Sequence, residues 1–78
     1  MKILIIEDEY NLADAIKSVL VEERYDVAIN TDGEVGLDNA LSGIYDLIIL
    51  DVMLPHINGF EILRKIREEK LEVKVIML

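Results

Sequence analysis

Short aliphatic runs, "KILII" at 2–6, "LIIL" at 47–50 and "VKVIML" at 73–78, alternate along the chain with segments whose apolar residues recur at helical spacing. A run that is apolar almost throughout reads as a strand covered on both faces, the character of a parallel sheet. Leu12, Ala15, Ile16, Val19 and Leu20 predict a first helix, with Asn11 placed to cap it, Asp14 in its first turn and fraying near Arg24. Asp26 to Asn30 alternates polar with apolar and ends at "TDG", which predicts a short edge strand. Leu37, Ala40 and Leu41 carry a second helix that begins after Gly33 and stops at Gly43. Pro55, Asn58 and Gly59 mark a loop; Phe60, Leu63 and Ile66 then carry a third helix, with Asn58 and Glu61 at capping-box spacing.

Strand and helix therefore alternate with short connections from one end to the other. That order predicts a doubly wound α/β domain of right-handed βαβ units, with helices on both faces of a parallel sheet. Seventy-eight residues allow one small domain, and 53% apolar with 31% charged residues is a globular composition. The final run has the character of an interior strand, yet no turn signal or helix follows it. As an outermost strand it leaves an apolar edge unpaired, so the expectation is a truncated domain that self-associates through Val73 to Leu78, by strand pairing or exchange of elements.

Composition removes several function classes. The chain has no cysteine, which excludes a disulfide framework and a thiolate zinc site. No apolar stretch approaches a membrane span and no signal-peptide core is visible, so a cytoplasmic location is the default. A formal charge of −8 opposes nonspecific attraction to nucleic acid or anionic lipid. Arg64, Lys65, Arg67 and Lys70 do cluster, but interleaved with Glu61, Glu68 and Glu69 they read as the solvated face of a helix.

The acidic residues carry the chemistry. In open α/β sheets, ligands sit beyond the carboxyl ends of strands where the winding reverses. Glu7 and Asp8 follow the first strand and Asp51 follows the third. With those strands adjacent, as in the order 2-1-3, three carboxylates converge on one crevice. Such a group repels itself without a counter-charge, and Mg²⁺, which takes a few carboxylates, a carbonyl and waters, suits it. The Met53 carbonyl is placed to add one more oxygen. The plainer readings are a solvated loop for Glu7-Asp8 and a turn or cap residue for Asp51. His56 reads as a loop residue, Tyr10 as half-exposed, and Met53, Met77 and Phe60 as core or near-core.

"ILIIEDE", "DLIILDVMLPHINGFEIL" and "VKVIML" resemble the receiver domain of two-component response regulators, across the whole chain. The resemblance implies a flavodoxin-like fold with sheet order 2-1-3-4, of which residues 1–78 are the N-terminal portion, from the first strand to the fourth. It implies that Asp51 accepts a phosphoryl group from a sensor histidine kinase, that Asp8 ligates Mg²⁺ directly, Glu7 through water and Met53 by its carbonyl. Pro55 and Gly59 match the loop after the acceptor, and the first helix, Leu12 to Leu20, matches a kinase-docking surface. The style of the central segment is closest to receivers that carry a winged-helix DNA-binding domain, although this chain itself is not expected to bind DNA.

The family pattern continues with a hydroxyl residue past the fourth strand, a fifth strand ending in lysine, and further helices, none of which lies within these 78 residues. Losing one preorganised donor costs on the order of 100-fold in rate, so slow or absent phosphorylation is expected. The rivals are an aspartyl-phosphate phosphatase or phosphotransferase, which usually needs a second carboxylate where Met53 stands, and an interaction fragment that never takes phosphate. On the leading reading the chain is a signalling module and not a turnover enzyme.

Overall fold

The computed structural model describes residues 1–78. Its elements run β1 (Lys2–Ile6), α1 (Tyr10–Glu22), β2 (Asp26–Asn30), α2 (Gly33–Ala40), β3 (Leu47–Leu50), α3 (Gly59–Glu68) and β4 (Lys74–Met77). All four strands are parallel, in the order β2-β1-β3-β4. This is the predicted topology, with β2 at one edge as expected.

Side chains alternate across the sheet and divide the core into two layers. Leu4, Ile6, Ile48 and Leu50 face α2 and α3 and pack with Ala40, Ile62 and Ile66. Ile3, Ile5, Val27 and Ile49 face the other way and pack with Ala13 of α1. Because β1 and β3 are covered on both faces, they are apolar at every position from Ile3 to Ile6 and from Leu47 to Leu50; Lys2, at the open start of β1, is exposed.

The helices depart from expectation in their caps and faces. Glu9, not Asn11, caps α1: its Oε1 accepts the Asn11 N–H at 3.0 Å. The helix therefore begins two residues early, and Asp14 lies beyond the first turn, which holds no acid. The inward stripe is Ala13, Ile16, Lys17 and Leu20, while Leu12, Ala15 and Val19 point outward. Apolar residues line both sides of α1, and composition cannot choose between them; the buried position belongs to Ala13, small enough to approach the sheet. On α3 the inward residues are Ile62 and Ile66, and Phe60 is 62% exposed, contrary to its reading as core or near-core.

The C-terminal ends fit better. Arg24 is left-handed at φ 67° just past α1, and Gly43 at φ 79° just past α2. Asn58 caps α3, its Oδ1 accepting the Glu61 N–H at 2.9 Å, without the reciprocal bond of a full capping box. β4 is half-buried rather than fully covered: Val75 and Met77 pack on the α2–α3 layer, and Ile76 is 51% exposed on the other face.

Candidate functional site

The register between β1 and β3 builds the site. Ile6 is level with Leu50, so the next residues of both strands, Glu7 and Asp51, emerge side by side at the carboxyl end of the sheet. Backbone bonds fix both: the Asp51 N–H donates to the Ile6 carbonyl at 2.9 Å, and the Glu7 N–H donates to the Asn30 carbonyl at 3.1 Å. Carboxylate oxygens of Glu7, Asp8 and Asp51 lie within 4.8 Å of one another. The sequence reading thus named three residues that the fold brings together.

Their surroundings differ. Glu7 is 3% exposed, Asp51 is half-buried and Asp8 is exposed. Glu7 Oε1 accepts the Glu9 N–H at 3.0 Å, and Asp51 Oδ1 accepts the Met53 N–H at 3.1 Å. Burial pushes the Glu7 carboxyl above its ordinary range; the neighbouring Asp51 and Asp8 push the same way, against the Glu9 amide. A carboxyl raised by burial and by neighbouring carboxylates is one whose charged form a cation would favour.

The donor set is entirely oxygen, anionic and open on the Asp8 side, which suits a hard divalent ion such as Mg²⁺. Thiolate or imidazole ligands, which a softer metal would favour, are not part of the group.

The loop from Asp51 to Gly59 joins the site to α3. Leu54 and Ile57 are buried anchors, and His56 turns the chain between them at φ 72°. The Gly59 N–H donates to the Val52 carbonyl at 2.8 Å. A side chain at Gly59 would collide with the backbone carbonyl of Asp51, so only glycine lets α3 start so close to the acid group. Met53 is not core: its side chain is 81% exposed beside Asp51. Tyr10 is exposed at the mouth of a neighbouring recess formed with Ile29, Thr31, Asp32 and Val35.

The sequence reading missed Leu54 and Ile57, whose apolar character between Asp51 and Asn58 was the available signal. It also missed Asn30. The Asn30 carbonyl holds Glu7, and its Oδ1 accepts from Asn39 Nδ2 of α2 at 2.8 Å.

Comparison with known proteins agrees with this geometry. The family model described as response regulator receiver domain matches residues 3–78. The response regulator ArlR of Staphylococcus saprophyticus is 59% identical over 69 residues, covering 88% of this chain and 31% of that protein. The chain thus spans about a third of the length of the curated relatives it matches. Among solved structures, the response regulator TrrA of Thermotoga maritima in complex with Mg²⁺-BeF superposes with a TM-score of 0.91 at 39% identity, over 97% of this chain and 66% of that one. TrrA in complex with the histidine kinase ThkA superposes over the same shares with a TM-score of 0.88.

Proposed function

The chain belongs to the response regulator receiver domain family, and from that premise we propose that it is a phosphoacceptor module of His-to-Asp signalling, with Asp51 as the acceptor. The observation that carries this reading is the meeting of Glu7, Asp8 and Asp51 at the carboxyl ends of β1 and β3. We assign Asp8 as a direct Mg²⁺ ligand, Glu7 as a ligand through water, Asp51 as a ligand and nucleophile, and Met53 as a carbonyl donor. TrrA, a 39% identical neighbour, was solved with Mg²⁺-BeF, which supports this assignment.

The chemistry asked of the protein is small. Asp51 Oδ1 is tied to the Met53 amide, which fixes the carboxylate plane; the other oxygen attacks phosphorus as the phosphorus–nitrogen bond of a phosphohistidine breaks, and the histidine nitrogen keeps the electron pair. Bound Mg²⁺ neutralises the carboxylates and the phosphoryl oxygens, the main barrier to bringing anions together. Glu7 keeps its carboxyl close to Asp51, anchored by the Glu9 amide. Gly59 keeps the loop tight against the Asp51 backbone.

The partner class is a sensor histidine kinase, as in the ThkA–TrrA complex. We assign the outward row Leu12, Ala15 and Val19 of α1 as docking surface, because it is apolar, exposed and unused by the core. No helix is long and apolar enough to cross a membrane, in keeping with a cytoplasmic role. A transcriptional output belongs to the proposal for the whole protein; the −8 charge assigns DNA contact to some other part of it. For residues 1–78 as an isolated chain, in which β4 is the outermost strand, self-association through Val73 to Leu78 is part of the same proposal.

The test is phosphotransfer from an autophosphorylated sensor kinase to the wild-type chain, Asp51→Asn and Asp8→Asn. Label should reach the wild-type chain only with a divalent cation and should be lost in Asp51→Asn. An enzyme of the aspartyl-phosphate class is disfavoured by Met53, where a second carboxylate would be needed.

A further inference from the structure

Asn58 is the only asparagine in the chain followed by glycine; Asn11, Asn30 and Asn39 precede leucine, threonine and alanine. An Asn-Gly step is the least hindered site for attack of a backbone nitrogen on the preceding side-chain amide, because glycine presents no Cβ and leaves the backbone free to rotate. Asn58 and Gly59 are also held by the fold at three points. The Asn58 Oδ1 accepts the Glu61 N–H at 2.9 Å, the Gly59 N–H donates to the Val52 carbonyl at 2.8 Å, and Gly59 lies against the Asp51 carbonyl. The amide nitrogen that would attack is thus committed to another acceptor, and the side chain it would attack is turned to cap α3, at a backbone ψ of 164°.

We infer that Asn58 is a fold-gated modification site: its side-chain amide deamidates through a succinimide only when the Asp51–Gly59 loop opens, so that the reaction reports loop opening. In the step, the Gly59 nitrogen bonds to Asn58 Cγ and the Cγ–Nδ2 bond breaks. The Gly59 proton and the departing amide group leave together as ammonia. Water then opens the ring at either carbonyl, giving aspartate at 58 or an isoaspartate whose main chain is one methylene longer. Solvent hydroxide and water are the only co-reactants.

The two products differ in consequence. Aspartate keeps an oxygen at the cap, and an acid at a helix N-terminus is favourable. Isoaspartate displaces Gly59 from the Val52 and Asp51 carbonyls and so loosens the backbone under the acid cluster. The gate has an identifiable anchor. Ile57, one residue before Asn58, is 7% exposed and packs beside Gly33 of α2, whereas the Asn58 side chain is at the surface. Loop opening requires Ile57 to leave its pocket. The inference rests on these contacts and not on Asp51 accepting a phosphoryl group.

The experiment is incubation of the chain in mildly alkaline buffer, with peptide mapping by mass spectrometry to place and time the amide-to-acid mass gain. That gain separates Asn58 from the mass-silent isomerisation open to Asp32-Gly33. Arms are the native chain, the chain in denaturant, and Ile57→Ala, checked for retained secondary structure by circular dichroism. In denaturant Asn58 should react first among the four asparagines. In the native chain it should react at least about tenfold more slowly, the protection expected of a locally closed segment, and Ile57→Ala should recover much of the lost rate while staying folded. Asn58 reacting in the native chain as fast as in denaturant would overturn the inference. So would a folded Ile57→Ala chain as slow as wild type; should that variant unfold, Leu54→Ala takes its place as the loop-loosening arm.

Discussion

Glu7 and Asp51 stand side by side at the ends of neighbouring parallel strands, each anchored through its own backbone amide, and the better buried of the two is Glu7, not the proposed acceptor. Burial and the two flanking aspartates raise the Glu7 carboxyl above its value in an unfolded chain. A raised carboxyl contributes stability below its unfolded pKa, and that contribution is lost as pH rises through the folded pKa. In the absence of divalent cations, the thermal midpoint attributable to Glu7 should fall from mildly acidic to neutral pH. Glu7→Gln should flatten that slope and melt higher than wild type at neutral pH. Melting curves across this range check it; an unchanged slope in Glu7→Gln would assign the pH dependence to other groups.

A cation that binds only the folded chain stabilises it in proportion to its occupancy. At a Mg²⁺ concentration about a hundredfold above Kd, the gain should be about 2.7 kcal/mol. Chelator should remove it, and Asp8→Asn or Asp51→Asn should remove most of it. Denaturant titrations with and without Mg²⁺ provide the comparison, and equal gains in wild type and both variants would place the ion elsewhere.

The two sides of α1 and α3 separate stability from partner binding. Ile62→Ala removes a fully buried side chain and should destabilise by about 2–5 kcal/mol. Val19→Ala on the exposed row should change stability by less than about 0.5 kcal/mol yet slow phosphotransfer from a sensor kinase. Equal transfer to Val19→Ala and wild type would remove this row from the docking surface.

Association of copies through the outer side of β4 is a proposal for residues 1–78 as an isolated chain. Sedimentation of the 78-residue chain should show a concentration-dependent shift to larger species, and Ile76→Lys, on the open face, should suppress it. A wild-type chain that remains monomeric at high concentration would contradict the edge as a contact.

Much of this fold was legible because its signals are redundant. Ile3 to Ile6 and Leu47 to Leu50 are apolar without a break since both faces are covered, so no choice of face was needed, and the strand ends that place Glu7, Asp8 and Asp51 followed directly. Gly43 and the Asn58 cap were readable from local chemistry. The faces of α1 and α3 were not, because Leu12, Val19 and Phe60 are as apolar as the residues that pack, and only the sheet decides which side is inward. The cap of α1 was misplaced because Glu9 and Asn11 both offer a side-chain oxygen near the start of the helix. Leu54, Ile57 and the Asn39–Asn30 bond depend on distant neighbours that periodicity does not encode.

The central claim is that Glu7, Asp8 and Asp51 assemble an acceptor site in which Asp51 takes the phosphoryl group. Intact-mass spectrometry of the chain incubated with Mg²⁺ and acetyl phosphate, beside Asp51→Asn and a sample with chelator, tests it most directly. A single phosphoryl adduct should form slowly, in keeping with the hydroxyl and lysine that lie outside residues 1–78, should need the divalent cation, and should be absent from Asp51→Asn. No adduct under conditions where Mg²⁺ is bound, or one that persists in Asp51→Asn, would contradict it.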